Sequence, residues 1–256
     1  MVGILGATVG SFLSVLIYRL PRKISLIDPV RSYCTSCNSK ISWFHNLPII
    51  SYLTLRGKCA SCHKRYPVRY LLIEIISSLS ALVSFQYFGA TWTALAVFAL
   101  TAMLIVQTFI DLDFKLILHI TNYPMMVVGV LLSISSFYLG SPGYPLATNP
   151  IDSLLGLTIG FGVLSLLAFT FFLATGKDGM GGGDTRMLGM LGAWLGWQSI
   201  ATIILLSSII GSVIGIIILL INRGDPKSRE IPFGPFIAIA ALLYIYFPQY
   251  RFPVLQ

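Results

Sequence analysis

Long apolar runs dominate the hydrophobic pattern of this chain. They cover residues 2–20, 70–88, 92–110, 116–138, 151–174, 185–221 and 231–247. Most are about 17–25 residues long, the length that crosses a bilayer as a helix, and none alternates as an amphipathic strand does. The run at 185–221 is too long for one span, and Gly196-Trp197-Gln198 divides it. The pattern therefore predicts eight transmembrane helices.

The composition supports a membrane location for these helices. Hydrophobic residues make up 56% of the chain and charged residues only 10%, whereas a soluble domain carries about 25% charged residues. In hydrocarbon, only helices or closed barrels satisfy every backbone hydrogen bond. Because the runs are long and do not alternate, we predict an all-α membrane protein.

Positive charge is concentrated on one predicted side of the membrane. Eight spans place residues 21–69, 111–115, 175–184 and 222–230 on the same side, and these segments with their flanking residues hold sixteen of the seventeen Lys and Arg residues. The positive-inside rule makes this side cytoplasmic. The net charge of +8 is then explained by topology and by attraction to anionic lipid headgroups, and gives no support to a nucleic-acid partner.

The polar and apolar segments divide the chain into three predicted domains. Residues 1–20 form the first transmembrane helix, residues 21–69 form a cytoplasmic segment, and residues 70–256 form a core of seven membrane helices. The segment at 21–69 is the only polar stretch of substantial length, and it contains all four cysteines of the chain.

The cysteines have the spacing of a structural zinc site. They form two CxxC pairs, Cys34 with Cys37 and Cys59 with Cys62, and four thiolates in this pattern bind zinc tetrahedrally. Disulfides are disfavoured in the cytoplasm, although iron or redox-active thiols are alternatives. Four protein ligands leave no open position, so the metal would organise the segment instead of activating water.

A glycine-rich loop with an acid is the first candidate for catalysis. Residues 179–184 read Gly-Met-Gly-Gly-Gly-Asp, and glycines such as Gly181 and Gly183 allow positive φ and close approach of another chain. An ionisable residue at the edge of a bilayer suggests a functional site. The alternative is structural, because Asp184 could simply cap the helix that follows.

The predicted topology supplies Asp184 with a partner. Asp111 also lies where a span meets the cytoplasmic surface. Two close carboxylates share one proton, so that the ionised acid can activate water while the protonated acid polarises a peptide carbonyl. Asp113 is the rival partner. In a continuous helix it lies about 200° around from Asp111, so both cannot point at Asp184.

Several motifs together resemble the bacterial type IV prepilin peptidases, which are bifunctional leader peptidases and N-methyltransferases of the GxGD class. The similarity extends over nearly the whole chain, in the order Gly10-Ser-Phe-Leu-Ser-Val-Leu-Ile-Tyr-Arg-Leu-Pro21, the cysteine quartet, Arg69-Tyr-Leu-Leu-Ile-Glu74, Ile110-Asp-Leu-Asp113, Gly181-Gly-Gly-Asp184 and Ile231-Pro-Phe-Gly-Pro235. The chain departs from the family pattern at Leu118-His119, where Pro-Asp is usual, at Arg186, where Lys is common, and at Ser14, where Asn is usual.

The resemblance implies a function and a set of site residues. It implies that Asp111 and Asp184 cleave the short basic leader of type IV prepilins or pseudopilins at the cytoplasmic face of the bacterial inner membrane. Asp113 would support that site. It also implies methylation of the new N-terminus with S-adenosylmethionine, an activity that the family associates with the cysteine segment. No strand, glycine-rich loop and helix unit marks a methyl-donor site in the sequence.

Two other functions are also compatible with the sequence. An ion-coupled transporter would use the membrane acids differently and would place them near the bilayer midplane, whereas Asp111 and Asp184 are predicted at one edge. A non-catalytic scaffold of a pilus or secretion system is the second alternative.

Glu74 lies one turn after Arg69. It either forms an intrahelical ion pair with Arg69 or makes a polar contact with a substrate helix or with the two aspartates.

Overall fold

The structure is a computed structural model that describes residues 1–27, 33–34, 36–42, 47–140, 143–176, 181–221 and 231–248. In this part of the chain the regular elements are all helices, as predicted. Their bounds are α1 Val2–Arg19, α2 Ile50–Thr54, α3 Arg69–Phe88, α4 Trp92–Phe114, α5 His119–Leu139, α6 Pro150–Thr175, α7 Gly182–Leu195, α8 Gln198–Ile221 and α9 Gly234–Tyr246.

Helices stand at all eight predicted membrane positions, but only six meet the length and apolarity of a membrane span. These are α1, α3, α4, α5, α6 and α8. The helix α7 has 14 residues and α9 has 13, so at about 1.5 Å per residue each is shorter than the roughly 30 Å hydrocarbon layer. The structure supports a multi-pass membrane protein, while the count of eight spans stays a prediction. The predicted division near Gly196 is confirmed, because α7 ends at Leu195 and α8 begins at Gln198.

The chain forms two compact units, Met1–Val106 and Gln107–Gln256. In the first unit, α1 and α3 pack with their backbones close together. A Cβ atom at Gly6 would lie 2.7 Å from the Cβ of Ala81, and the Ser77 hydroxyl donates to the Gly6 carbonyl at 2.7 Å. Small residues in α1 therefore allow close helix packing.

In the second unit, α7 is a buried helix held between its neighbours. Gly192 of α7 and Gly156 of α6 lie backbone to backbone, with no room for a Cβ atom on either residue. On another side, the indole N–H of Trp194 donates to the Met125 carbonyl of α5 at 2.7 Å, and its ring fills the space beside Gly129. These contacts fix α7, the helix that carries Asp184.

The contact between α6 and α7 can be tested with two alanines on the same helix. Gly156→Ala would force a methyl group into the backbone of Gly192, and overpacking of this kind costs about 1–3 kcal/mol. We expect a lower melting temperature in detergent. The matched control is Gly162→Ala, because no atom lies within 4 Å of the added Cβ. Equal destabilisation by both variants would contradict the packing argument.

Candidate active site and metal centre

Asp111 is a buried acid near the end of α4. Its side chain is 5% exposed, and its Oδ2 accepts the backbone N–H of Gly234 at 2.9 Å. Gly234 is the first residue of α9, with Pro235 directly behind it. The positive end of the α9 dipole therefore faces the carboxyl group, which suits a negative charge. The hydrogen bond also fixes the orientation of Asp111.

Asp184 lies in the first turn of α7 and is half-buried. Burial, and after it the negative charge of Asp111, raises the pKa of Asp184 to about 7. The structure therefore brings the two acids close enough for the charge of one to act on the other. A carboxyl group with this pKa holds a proton for much of the time at neutral pH, which an ordinary aspartate does not.

Ile117 packs between the two glycine positions at this site. A Cβ atom on Gly183 would lie 2.7 Å from the Cβ of Ile117, and one on Gly234 would lie 3.0 Å from the Cδ1 of Ile117 and 2.7 Å from Oδ2 of Asp111. A side chain at Gly183 would therefore displace Ile117, and one at Gly234 would displace both Ile117 and the carboxyl group of Asp111. Glycine at these two positions leaves the space that Ile117 and Asp111 occupy.

The glycines before Asp184 differ in one respect from expectation. Gly181 has φ −68° and is the N-cap of α7, and Gly182 and Gly183 are already helical, so positive φ is not the reason for glycine at these three positions. Asp184 is consequently not the helix cap. The reason at Gly183 is space, since Ile117 occupies the place of a side chain. Gly179 and Met180 lie outside the described residues.

The four cysteines form a second cluster, in the first unit. The Sγ atoms of Cys34, Cys37, Cys59 and Cys62 all lie within 4.8 Å of one another, and Sγ of Cys34 lies 3.9 Å from Sγ of Cys62. All four are free thiols. The cluster is therefore close enough to hold a metal ion.

The two CxxC pairs have the same backbone arrangement. In each pair, the N–H of the first cysteine donates to the carbonyl five residues later, from Cys34 to Ser39 and from Cys59 to Lys64, at 3.0 and 2.9 Å. In each, the fourth residue after the first cysteine has positive φ, 54° at Asn38 and 55° at His63. The shared backbone geometry accompanies the shared Cys-x-Ser-Cys sequence of the two turns.

Cys59, the first cysteine of the second pair, ionises readily to a thiolate. Backbone N–H groups of Cys62 and Ser61 lower the pKa of Cys59 to about 5. Hydrogen bonds to sulfur stabilise its charged form, and the thiolate is the form that binds metals. The turn geometry thus favours a metal centre.

Comparison with known proteins identifies the family of this chain. Residues 4–88 match the Bacterial Peptidase A24 N-terminal domain, and residues 98–216 match the Type IV leader peptidase family. The chain is 36% identical to a prepilin leader peptidase/N-methyltransferase of Aeromonas salmonicida, over 91% of this chain and 84% of that protein. Proteins of the same name from Pseudomonas putida and Neisseria gonorrhoeae are 34% and 35% identical, over 94% of this chain and 88% and 87% of theirs. This chain belongs to the type IV leader peptidase family. No solved structure matches it.

The structure also describes the surroundings of the other residues predicted for the peptidase site. The helix α4 continues to Phe114, so that Asp111 is buried while Asp113 is exposed. Glu74 lies in the first unit, where its Oε2 accepts the N–H of Ile49 at 2.7 Å. Arg69 begins α3 in the same unit. The supporting role predicted for Glu74 and Arg69 in peptide cleavage stays a prediction.

The family departure at Leu118-His119 has a local structural consequence. The start of α5 has no side-chain cap from its N-cap residue, Leu118. Instead, the Leu118 carbonyl accepts hydrogen bonds from the Thr121 hydroxyl at 2.7 Å and from Nδ2 of Asn122 at 3.1 Å. These polar side chains of the first turn hold the beginning of α5 in place.

Sequence reasoning missed three residues of this peptidase. Gly234 and Ile117 belong to the surroundings of the acids. Gly234 lies in the motif Ile231-Pro-Phe-Gly-Pro235, which carried a family resemblance but no assigned role, and no local pattern marks Ile117. The third is Gln107, one turn before Asp111. It is 1% exposed, and its Nε2 donates to Oδ1 of Asn122 at 3.0 Å. Its Oε1 has no partner among the described residues. A lone glutamine in an apolar run is a signal of a polar contact.

Proposed function

We propose that this protein is a membrane aspartic endopeptidase that removes the short basic leader of type IV prepilins or pseudopilins. The single observation that carries the proposal is that the charge of Asp111 acts on Asp184, at a site where Ile117 lies against both Gly183 and Gly234. Relatives named prepilin leader peptidase/N-methyltransferase cover nearly the whole chain. The test is incubation of the purified protein with a synthetic prepilin, followed by mass measurement. An unchanged prepilin would overturn the proposal.

The two acids divide the chemistry between them. A raised pKa suits Asp184 to hold the shared proton, and from there it would polarise the scissile carbonyl. Asp111, oriented by the N–H of Gly234, takes a proton from the attacking water. Proton transfer of this kind contributes about 10²–10⁴-fold to a rate. Such a pair titrates as a unit, so the pH dependence of cleavage belongs to both residues.

The pKa of Asp184 predicts the alkaline limit of activity. Because this carboxyl must carry a proton, we expect kcat/KM for leader cleavage to fall as the pH rises through about 7. A rate that stays constant from pH 6 to pH 9 would contradict the assignment. The measurement is an initial-rate profile on a synthetic prepilin at constant ionic strength.

The raised pKa of Asp184 also makes the stability of the fold depend on pH. The direction of this dependence is opposite to that produced by a salt-bridged aspartate, whose pKa is lowered in the folded state. In the unfolded chain an aspartate ionises near 3.9, while in the folded protein Asp184 ionises near 7. Between these values the folded state binds more protons, so its stability falls as the pH rises. In Asp184→Asn this part of the decline should disappear from melting curves recorded between pH 4 and pH 7.

We also propose zinc as the metal of the cysteine cluster. With a Zn–S bond of about 2.3 Å, a tetrahedron has sulfur atoms about 3.8 Å apart, close to the 3.9 Å between Cys34 and Cys62. Four thiolates would fill the coordination shell, so the ion would stabilise the fold of the segment at 21–69. Metal analysis of the purified protein tests the identity of the ion.

The proposal includes the orientation of the protein in the membrane and the roles of its three domains. The charge distribution favours a bacterial inner-membrane location with the cysteine segment and both acids on the cytoplasmic side. A prepilin offers its scissile bond at that surface, with its apolar helix in the bilayer. We propose residues 1–20 as the first span, 21–69 as the zinc segment and 70–256 as the peptidase core. Accessibility of single cysteines to a membrane-impermeant reagent tests the orientation.

Methylation is the second proposed activity. The relatives carry N-methyltransferase in their names, and S-adenosylmethionine is the methyl donor that this activity implies. The new N-terminal amine of the cleaved pilin would be the acceptor. Addition of S-adenosylmethionine to the cleavage assay should raise the mass of the product by one methyl group. A product with no added methyl group would contradict this activity while leaving cleavage untouched.

A further inference from the structure

A cavity in the first unit has no place in the cleavage chemistry. It lies between α1, α3 and the cysteine segment, and the space open to the centres of water molecules inside it is about 180 Å³. The lining residues that matter most here are Ser11, Val15, Tyr18, Tyr52, Tyr70 and Glu74.

The cavity wall combines three kinds of chemistry. It has one carboxylate, Glu74, and two cations, Arg19 and Lys58. It also has five tyrosine rings, at positions 18, 33, 52, 66 and 70. A ligand that uses all three would carry a positive charge, a negative charge and a flat aromatic ring.

Glu74 is fixed in the cavity wall by a strained piece of backbone. Its Oε2 accepts the N–H of Ile49 at 2.7 Å, and Ile49 has φ 64° and ψ −52°. A β-branched residue rarely takes positive φ, and strain of this kind is kept at sites of function. The Ser11 hydroxyl also bonds to this carboxyl group. An acid held in an apolar span indicates a specific charged partner.

We propose that this cavity binds S-adenosylmethionine, with Glu74 facing its positive charge. The inference rests on the proposed methyltransferase activity and assigns a site to it. The sulfonium ion is attracted both by a carboxylate and by aromatic faces, and the adenine ring can stack on a tyrosine. The carboxylate of the methionine part would pair with Arg19 or Lys58, which are the cations of the wall.

The test is equilibrium binding of radiolabelled S-adenosylmethionine to the purified full chain in detergent. Glu74→Gln keeps an acceptor for the Ile49 N–H but removes the charge, and we expect at least tenfold weaker binding. Val15→Trp fills the cavity without removing a hydrogen bond, and binding should be lost. The matched controls are Asp152→Asn, which removes a carboxylate charge from the first turn of α6, and Leu5→Trp at a position of α1 that is 65% exposed.

Wild-type affinity in either Glu74→Gln or Val15→Trp would overturn the cavity assignment. So would a phospholipid, seen by native mass spectrometry, that Val15→Trp expels while S-adenosylmethionine stays bound. Failure of the proposed activity looks different, because the wild-type protein would then cleave the prepilin but add no methyl group, even with S-adenosylmethionine bound. Binding that falls in both cavity variants and in neither control supports the assignment.

Discussion

Asp111→Asn and Asp184→Asn should each abolish leader cleavage while the protein still inserts and folds. An amide cannot exchange the shared proton, so the loss should reach roughly 10²–10⁴-fold or more. Asn at 111 can still accept the N–H of Gly234 through its amide oxygen, so the start of α9 should stay in place. The measurement is the turnover of a synthetic prepilin in detergent, followed by mass spectrometry.

The matched control for this pair is Asp152→Asn, which makes the same chemical change in the first turn of α6. It should cleave at the wild-type rate. Normal turnover by either variant of the proposed pair would refute the aspartate mechanism. A loss in all three variants would instead indicate that the substitution harms folding in general.

Asp113→Asn decides between the two acids at the end of α4. Because Asp113 is exposed and Asp111 is buried, we expect only a modest effect on cleavage at position 113. A loss as large as that of Asp111→Asn would make Asp113 the partner of Asp184.

Cys34→Ser and Cys59→Ser should release the metal and reduce methylation more than cleavage. Structural zinc in small domains contributes apparent binding energies of about 10–16 kcal/mol, and these two cysteines are the buried members of the cluster. Without the ion, the segment that forms one wall of the tyrosine-lined cavity should lose its structure. Both acids lie in the other unit, so cleavage should suffer less. Metal content, cleavage and methylation are measured on the same samples.

The control for the cysteine variants is Ser61→Ala, between the two ligands of the second pair. Its backbone N–H, which lowers the pKa of Cys59, is unchanged by the substitution. Metal content should therefore stay at the wild-type level. Equal loss of cleavage and methylation in the cysteine variants would indicate a general role of the metal in folding.

The long apolar runs of the sequence located the predicted membrane helices, because a membrane helix must satisfy its backbone internally and must be apolar over its whole length. The short helices α7 and α9 show the limit of this approach. The residues of α9 are as apolar as those of a span, but apolarity does not distinguish a helix buried among other helices from one that faces lipid. The helix α7 begins with Gly182, Gly183 and Asp184 and is less apolar. The eight-span count therefore rested on composition, whereas the lengths of α7 and α9 came from the fold.

The glycine-rich stretch before Asp184 shows a second limit. From the sequence, Gly181 and Gly183 suggested a loop with positive φ, yet the structure begins a helix there. What requires glycine at 183 is Ile117, a residue 66 positions away that no local pattern connects to it. Close approach between distant segments leaves no periodic trace in a sequence.

The sequence by itself determined the helical class, the membrane environment and the types of chemistry available, because these depend on local composition and spacing. It supplied four cysteines with the spacing of metal ligands and two acids at the ends of apolar runs. Only the tertiary structure decided that Asp111 is the buried acid, that α9 directs the N–H of Gly234 at it, and that Glu74 lines a separate cavity. Those results depend on packing between residues far apart in the chain, and packing follows from the whole fold.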